Sequence, residues 1–170
     1  MRGMVKISVI VNGVKYERDI EPRMLLSDFL KYEIGINSIN VGCAVGVCGS
    51  CSIIMNGKLV KSCNLLAVSV NNSEILTVEG LTVEGKLHPI QEAFWEGFGF
   101  QCGFCTSGMI MATYALLKRN PNPSEEEIVN FLSGNICRCT GYIQIIKSVK
   151  LASEKIAKLP EIERKKLFRW

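Results

Sequence analysis

The sequence predicts an α+β fold in two parts: a β-rich unit over residues 1–80, an all-helical unit over residues 81–160, and a tail at 161–170. Three observations predict it. Runs with the apolar alternation of strands, each broken by an Asn-Gly pair, occur only in the first half. From about Glu84 onward the apolar spacing becomes that of helices, about 3.6 residues, and strand-like runs stop. The eight cysteines divide four and four across this change.

Taken in order, VKISVIV and VKYERDI are two strands joined at Asn12-Gly13, a dipeptide suited to a tight hairpin turn. LLSDFLKYEIG sets Leu26, Phe29 and Leu30 on one helical face and stops at Gly35. SIIMNGKLVKSC repeats the hairpin device at Asn56-Gly57, and EILTVEGL reads as one more strand that closes a small mixed sheet. In the second half, Pro89 after His88 opens a helix at the position where its missing N–H costs little, with Ile90, Ala93 and Phe94 on one face. A second helix covers Ser107 to Lys118 and is stopped by PNPS. Ser124 followed by Glu127 is a capping-box pattern that starts a third, carrying Ile128, Phe131 and Leu132. A last helix runs from about Ile143 to Lys158, before Pro160.

At 48% hydrophobic and 21% charged residues, the chain has the composition of a folded globular protein. Its net charge of +4 is scattered rather than gathered in a stripe, which argues against nucleic acid as a partner. The opening MRGMVKISVIVNGVKYERDI has too short an apolar run for a secretory signal, and no stretch approaches the roughly 20 apolar residues of a membrane span. A cytoplasmic location follows as the expectation. Thiols are usually kept reduced there, and clustered CxxC and CxC spacings suit a shared metal centre better than disulfide staples.

Cys43, Cys48 and Cys51 form C-x4-C-x2-C, followed at a distance by Cys63, the spacing of plant-type [2Fe–2S] ferredoxins. Two ferric ions, two sulfides and four thiolates leave a doubly negative group, and reduction adds a further negative charge. A loop around such an anion must turn backbone N–H groups inward, and Gly42, Gly46 and Gly49 are expected to supply the freedom, with Ala44 and Ser50 as small neighbours. The second set is Cys102, Cys105, Cys137 and Cys139. Two cysteines separated by one residue sit about 200° apart around a helix but on one side of an extended segment, so CRC is predicted to be non-helical. The positive end of the Ser107 helix is expected to favour thiolate at Cys102 and Cys105. For the second set, spacing alone also allows a four-cysteine zinc site, so a zinc-stabilised interaction protein remains the alternative.

QCGFCTSGM, GNICRCTGY, HPIQEAF and CAVGVCGSC together resemble the iron–sulfur (small) subunit of the molybdenum hydroxylases, the family of xanthine dehydrogenase/oxidase, aldehyde oxidoreductases and aerobic carbon monoxide dehydrogenase. The resemblance spans roughly residues 4 to 157. It implies a β-grasp ferredoxin domain followed by a four-helix bundle, each with one [2Fe–2S] cluster. It implies that Cys43, Cys48, Cys51 and Cys63 hold the cluster nearer FAD, and that Cys102, Cys105, Cys137 and Cys139 hold the one nearer molybdenum. Gln101 matches a residue that hydrogen-bonds the pterin, and Cys139 one whose sulfur approaches it. The resemblance further implies a large subunit with molybdopterin cytosine dinucleotide and a medium subunit with FAD, in a heterotrimer or a doubled heterotrimer.

No catalytic residue is assigned. The one histidine, His88, lacks a catalytic context and reads as a loop end. GFGFQCG does not fit the dinucleotide fingerprint. The chain therefore reads as an electron-transfer oxidoreductase subunit, with the substrate, expected to be an aldehyde such as glyceraldehyde, converted elsewhere; carbon monoxide and heterocycles are the alternatives. Ser107 stands where the family commonly has proline, and is expected to cap its helix. Arg138, between two cysteines, is expected to favour a reduced cluster. The charged end beyond Pro160 is expected to be solvated or to dock on a partner.

Overall fold

A computed structural model describes residues 3–168. Strands β1 (Val5–Val11) and β2 (Val14–Ile20) form the first hairpin, and β3 (Ser52–Met55) and β4 (Lys58–Lys61) the second. Both turns need two successive left-handed residues, and both have them: Asn12 and Gly13 at φ 52° and 84°, Asn56 and Gly57 at φ 48° and 78°. Between the hairpins, α1 (Leu26–Asp28) runs into a π turn over Phe29–Glu33 that buries Leu26, Phe29 and Leu30.

The expected last strand is short. Only Glu74–Leu76, β5, is extended, and Val78–Leu81 coils into a 3-10 turn. β5 joins the hairpins by inserting between them, so the sheet order is β2-β1-β5-β3-β4, with β1 and β5 parallel and the other pairs antiparallel.

The helices are α2 (Pro89–Glu96), α3 (Thr106–Arg119), α4 (Glu125–Leu132), α5 (Ile143–Ala157) and α6 (Glu161–Leu167). Two of the predicted starts hold at atomic detail. The Ser124 hydroxyl accepts from Glu127 N, and a Glu127 carboxylate oxygen accepts from Ser124 N. His88 does the same job for α2: its Nδ1 accepts from Ile90 N at 3.2 Å, while Gln91 Oε1 accepts from His88 N at 2.8 Å.

Two apolar clusters fill the interior. One lies between the sheet and α1, with Ile7, Val9, Val11, Phe29, Ile53 and Ile75. The other is built on α3 and includes Ile54 and Leu76 from the sheet. Neighbouring residues Ile53 and Ile54 enter different clusters because side chains alternate along a strand. The sheet is thus covered on one face by α1 and on the other by α3, and packing runs across the position near residue 80 where the sequence periodicity changes.

The segment expected as a solvated tail is α6. Leu167 and Phe168 pack on the helical cluster, and the Phe168 ring lies 5.1 Å from Tyr114 and 6.1 Å from His88. The apolar end of an otherwise charged segment turns it inward. Among the described residues, no helix is long and apolar enough to cross a membrane.

Candidate functional site

The first four thiols meet in the loop that precedes β3 and the turn that follows β4. Cys43 Sγ lies in a coil of N–H groups, those of Val45 at 3.5 Å, Val47 at 3.3 Å and Cys48 at 3.3 Å. Hydrogen bonds from Cys48 N and Val45 N pull its thiol down to about 6. Aiming successive N–H groups at one atom requires left-handed backbone, found at Ala44, Gly46 and Gly49 with φ of 57°, 74° and 72°.

Gly42 departs from expectation, because its φ is not left-handed. A Cβ there would stand 3.1 Å from Cys48 Sγ and 3.2 Å from the Phe104 ring, so room, not conformational freedom, calls for glycine. Cys51 and Cys63 are buried side by side. Burial, reinforced by the adjacent Cys51 thiol, pushes Cys63 up to about 11. The Ser62 hydroxyl donates to the Cys51 carbonyl at 2.9 Å, tying the two loop ends together.

The second four converge where two helix junctions face each other. Cys102 and Cys105 lie just before α3, while Cys137 and Cys139 lie in the non-helical run between α4 and α5, as the spacing of CRC predicts. Cys102 and Cys139 are exposed with their sulfurs 3.5 Å apart; Cys137 is buried, and Cys105 is half-buried beside it. The expected preference for thiolate at the helix start holds for Cys102, lowered by the Phe104 N–H. It fails for Cys105, where burial and the Cys137 thiol push the group up to about 12. Burial works against ionising Cys137, but hydrogen bonds from the Thr140 hydroxyl and N–H, the Cys139 N–H and the Cys105 thiol together lower this group.

The two quartets sit on one rigid junction. Ile136 N donates to the Cys48 carbonyl at 2.8 Å, joining a cysteine of the first set to the residue before a cysteine of the second. Buried Asn135 donates from Nδ2 to the Gly49 carbonyl at 3.1 Å. Gly108, in the first turn of α3, lets that loop lie against the helix: a Cβ there would meet Gly49 O at 2.1 Å and Ser50 Cα at 2.9 Å. Ser107 does not cap α3, whose N-cap is Cys105. It sits inside the first turn, with its hydroxyl 3.4 Å from the Ser50 carbonyl.

Gln101, the chain neighbour of Cys102, is exposed, and so is Arg138. His88 is buried as the N-cap of α2, against Tyr114 and Phe168. Sequence reading passed over Asn135, Thr140 and Gly108. Their only signal was closeness to cysteines, and their partners lie in contacts that spacing does not reveal.

In both quartets thiol lies against thiol in pairs: Cys43 with Cys48, Cys51 with Cys63, Cys102 with Cys139, and Cys105 with Cys137. Among the described residues, no three His, Cys, Asp or Glu side chains are gathered tightly enough to hold one metal ion. Four thiolates shared between two irons meet as two pairs, and N–H donors aimed at sulfur suit an anionic centre, so the donor sets fit [2Fe–2S] groups. A cationic metal also removes the cost that burial imposes on ionising Cys63 and Cys105.

A family profile described as "[2Fe-2S] binding domain" matches residues 77–150. The chain is 42% identical over 153 residues to the nicotinate dehydrogenase small FeS subunit of Eubacterium barkeri, covering 90% of this chain and 98% of that one. It is 45% identical over 150 residues to the 6-hydroxypseudooxynicotine dehydrogenase complex subunit beta of Paenarthrobacter nicotinovorans, covering 84% and 90% respectively. A chain of quinoline 2-oxidoreductase from Pseudomonas putida 86 superposes with a TM-score of 0.86 at 41% identity, over 89% of this chain and 94% of that one. Aldehyde oxidoreductase from Desulfovibrio desulfuricans superposes at 0.87 with 36% identity, and this chain covers 95% of its own length but 18% of that longer one. Similarity at this level along almost the whole chain, added to the thiol chemistry, shows that the protein belongs to the electron-transferring small iron–sulfur subunits of the molybdenum hydroxylases.

Proposed function

We propose that the chain relays electrons through two [2Fe–2S] clusters, from a molybdopterin cytosine dinucleotide site on a large subunit to FAD on a medium subunit. The observation that carries this reading is the meeting of eight thiols as four pairs in two places. Cys43, Cys48, Cys51 and Cys63 hold the cluster on the FAD side; Cys102, Cys105, Cys137 and Cys139 hold the one on the molybdenum side. Each bound cluster supplies a site that takes up and gives out one electron at a time.

The chain's own part is to hold, space and insulate. The hydrogen bond from Ile136 N to the Cys48 carbonyl supports transfer between quartets, because covalent bonds and this one hydrogen bond connect Cys48 to Cys137 without a gap. Exposure of Gln101, and of Cys102 and Cys139 against each other, supports contact with the pterin, with Gln101 as hydrogen-bonding group and Cys139 as point of electron entry. Val45 and Val47, exposed on the Cys43 loop, offer an apolar surface for the flavin subunit. The two halves act as separate cluster-binding units fixed in one orientation, in a cytoplasmic heterotrimer.

For the whole enzyme, we favour hydroxylation of a nitrogen heterocycle over the aldehyde that the sequence led us to expect. The relatives named for nicotinate and 6-hydroxypseudooxynicotine share 42% and 45% identity, against 36% for the aldehyde oxidoreductase structure.

Electron paramagnetic resonance of the dithionite-reduced complex tests the relay. Two distinct signals are expected, with about four irons and four acid-labile sulfides per chain, and Cys102→Ser should alter one signal while leaving the other. A colourless protein containing zinc would overturn the reading.

A further inference from the structure

We propose that Thr140 tunes the reduction potential of the second centre by donating its hydroxyl proton to Cys137 Sγ. The inference rests on the relay reading and adds a residue to it. Thr140 Oγ1 lies 3.1 Å from Cys137 Sγ, and the same oxygen accepts a hydrogen bond from Tyr142 N at 3.2 Å. A hydroxyl has one proton and two lone pairs. With a lone pair engaged by Tyr142 N–H, the proton is directed at the sulfur.

The turn that holds this geometry is itself fixed. Gly141 and Tyr142 are left-handed, with φ of 62° and 68°, and the Tyr142 hydroxyl accepts from Cys137 N at 3.0 Å. Cys137 is buried, so water does not compete for its sulfur, and a hydrogen bond in such surroundings is worth more than at the surface.

Among the described residues, Thr140 is the one side chain other than cysteine that hydrogen-bonds a cysteine sulfur. Cys43 is served by backbone N–H groups alone apart from the neighbouring thiol. The first centre's donors thus belong to the fold, whereas the second has a donor that one substitution removes. Reduction adds one electron and one negative charge to the centre, and a donor to a ligand sulfur favours that state more than the oxidised one. The proton stays on the threonine oxygen throughout, so Thr140 acts as a positioning residue for the transferred charge.

The test is a potentiometric titration of the assembled complex, followed by electron paramagnetic resonance, for wild type, Thr140→Val, Thr140→Ala and Thr140→Ser. In Val and Ala, one of the two signals should titrate lower. At a fixed ambient potential its reduced-to-oxidised ratio should fall roughly tenfold, a shift of about 59 mV for a one-electron couple. The other signal should not move, and Ser should restore the wild-type value. A turn-stabilising role alone would lower the melting temperature without moving the potential.

Two signals with unmoved midpoints in Val and Ala would overturn the tuning role and leave the relay standing; absence of two signals in wild type would overturn the relay itself. Should neither variant assemble, the wild type still decides. Brief exchange into D2O replaces hydroxyl protons faster than hydrogen-bonded amides, and should remove a strongly coupled proton from one signal. No such loss would overturn the proposal.

Discussion

Cys51 and Cys63 are buried at the foot of a coiled loop, whereas Cys102 and Cys139 stand exposed at the meeting of two helix junctions. Both quartets must gather thiols that repel one another once ionised, and they do it with different parts of the chain. The loop bends its backbone until successive N–H groups point at Cys43, which requires left-handed residues. The junction brings together four chain ends that are already held by helices, and adds a threonine hydroxyl to its backbone donors. A site made from a loop leaves its requirement in the sequence as glycines. The junction has left-handed glycines as well, at Gly103 and Gly141, but its threonine donor leaves no mark in the spacing.

The difference is most sharply broken where the two regions touch. In Gly108→Ala, the new methyl would overlap the Gly49 carbonyl and a backbone carbon of Ser50. Both obstacles are backbone, so the loop and α3 must part. A loss of about 3 kcal/mol in denaturant unfolding is expected, with disturbance of both resonance signals rather than one.

Acid separates the regions next. The only histidine is in the helical part, where burial holds His88 down at about 4 from its usual 6.5, partly opposed by the Leu167 carbonyl. Below pH 6.5 the unfolded chain takes up a proton that the folded one declines until about pH 4. The stability His88 contributes is therefore complete above that window and lost as pH falls through it, by something on the order of 3 kcal/mol. His88→Asn, which keeps a cap acceptor, should flatten this part of the pH-stability curve measured by thermal melting. A curve of unchanged slope would remove His88 as the cause.

The smallest effect distinguishes two left-handed glycines. Gly46 and Gly103 have φ of 74° and 85°; a Cβ at Gly46 would make ordinary contact with the Asn64 side chain at 3.5 Å, and one at Gly103 would meet nothing within 4 Å. Each substitution should cost about 1 kcal/mol from backbone strain. Gly46→Ala should also weaken the N–H cage around Cys43 and shift the first signal, whereas Gly103→Ala should shift the second or neither. Equal shifts of both signals would contradict the assignment of separate donors to the two quartets.

Much of the molecule is legible before folding. Asn12-Gly13 and Asn56-Gly57 identify the hairpins, Ser124 and Glu127 the start of α4, and the spacing of Cys43, Cys48 and Cys51 the first set of sulfurs, because each is a relation between near neighbours. The limits are equally specific. β5 was overextended in sequence reading, since its pairing with β1 and β3 covers only a few residues and the chain then coils. The charges of the tail predict a solvated end or one that docks on a partner, and α6 buries no residue fully; what the sequence hides is the contact of Phe168 with Tyr114, a long-range one. Ser107 looked like a cap, yet the helix begins one residue earlier, at Thr106, with Cys105 as its N-cap, and that serine faces Ser50 instead.

By itself, then, the sequence determined which segments would be strands or helices and which residues would carry sulfur, since alternation, capping and turn chemistry act over a few bonds. Only the tertiary structure decided that the thiols meet in pairs, that Ile136 bonds the Cys48 carbonyl, and that Thr140 faces Cys137. Those arrangements depend on how a sheet and a helical bundle pack against each other, and no local pattern encodes the distance between residues that packing alone brings within a hydrogen bond.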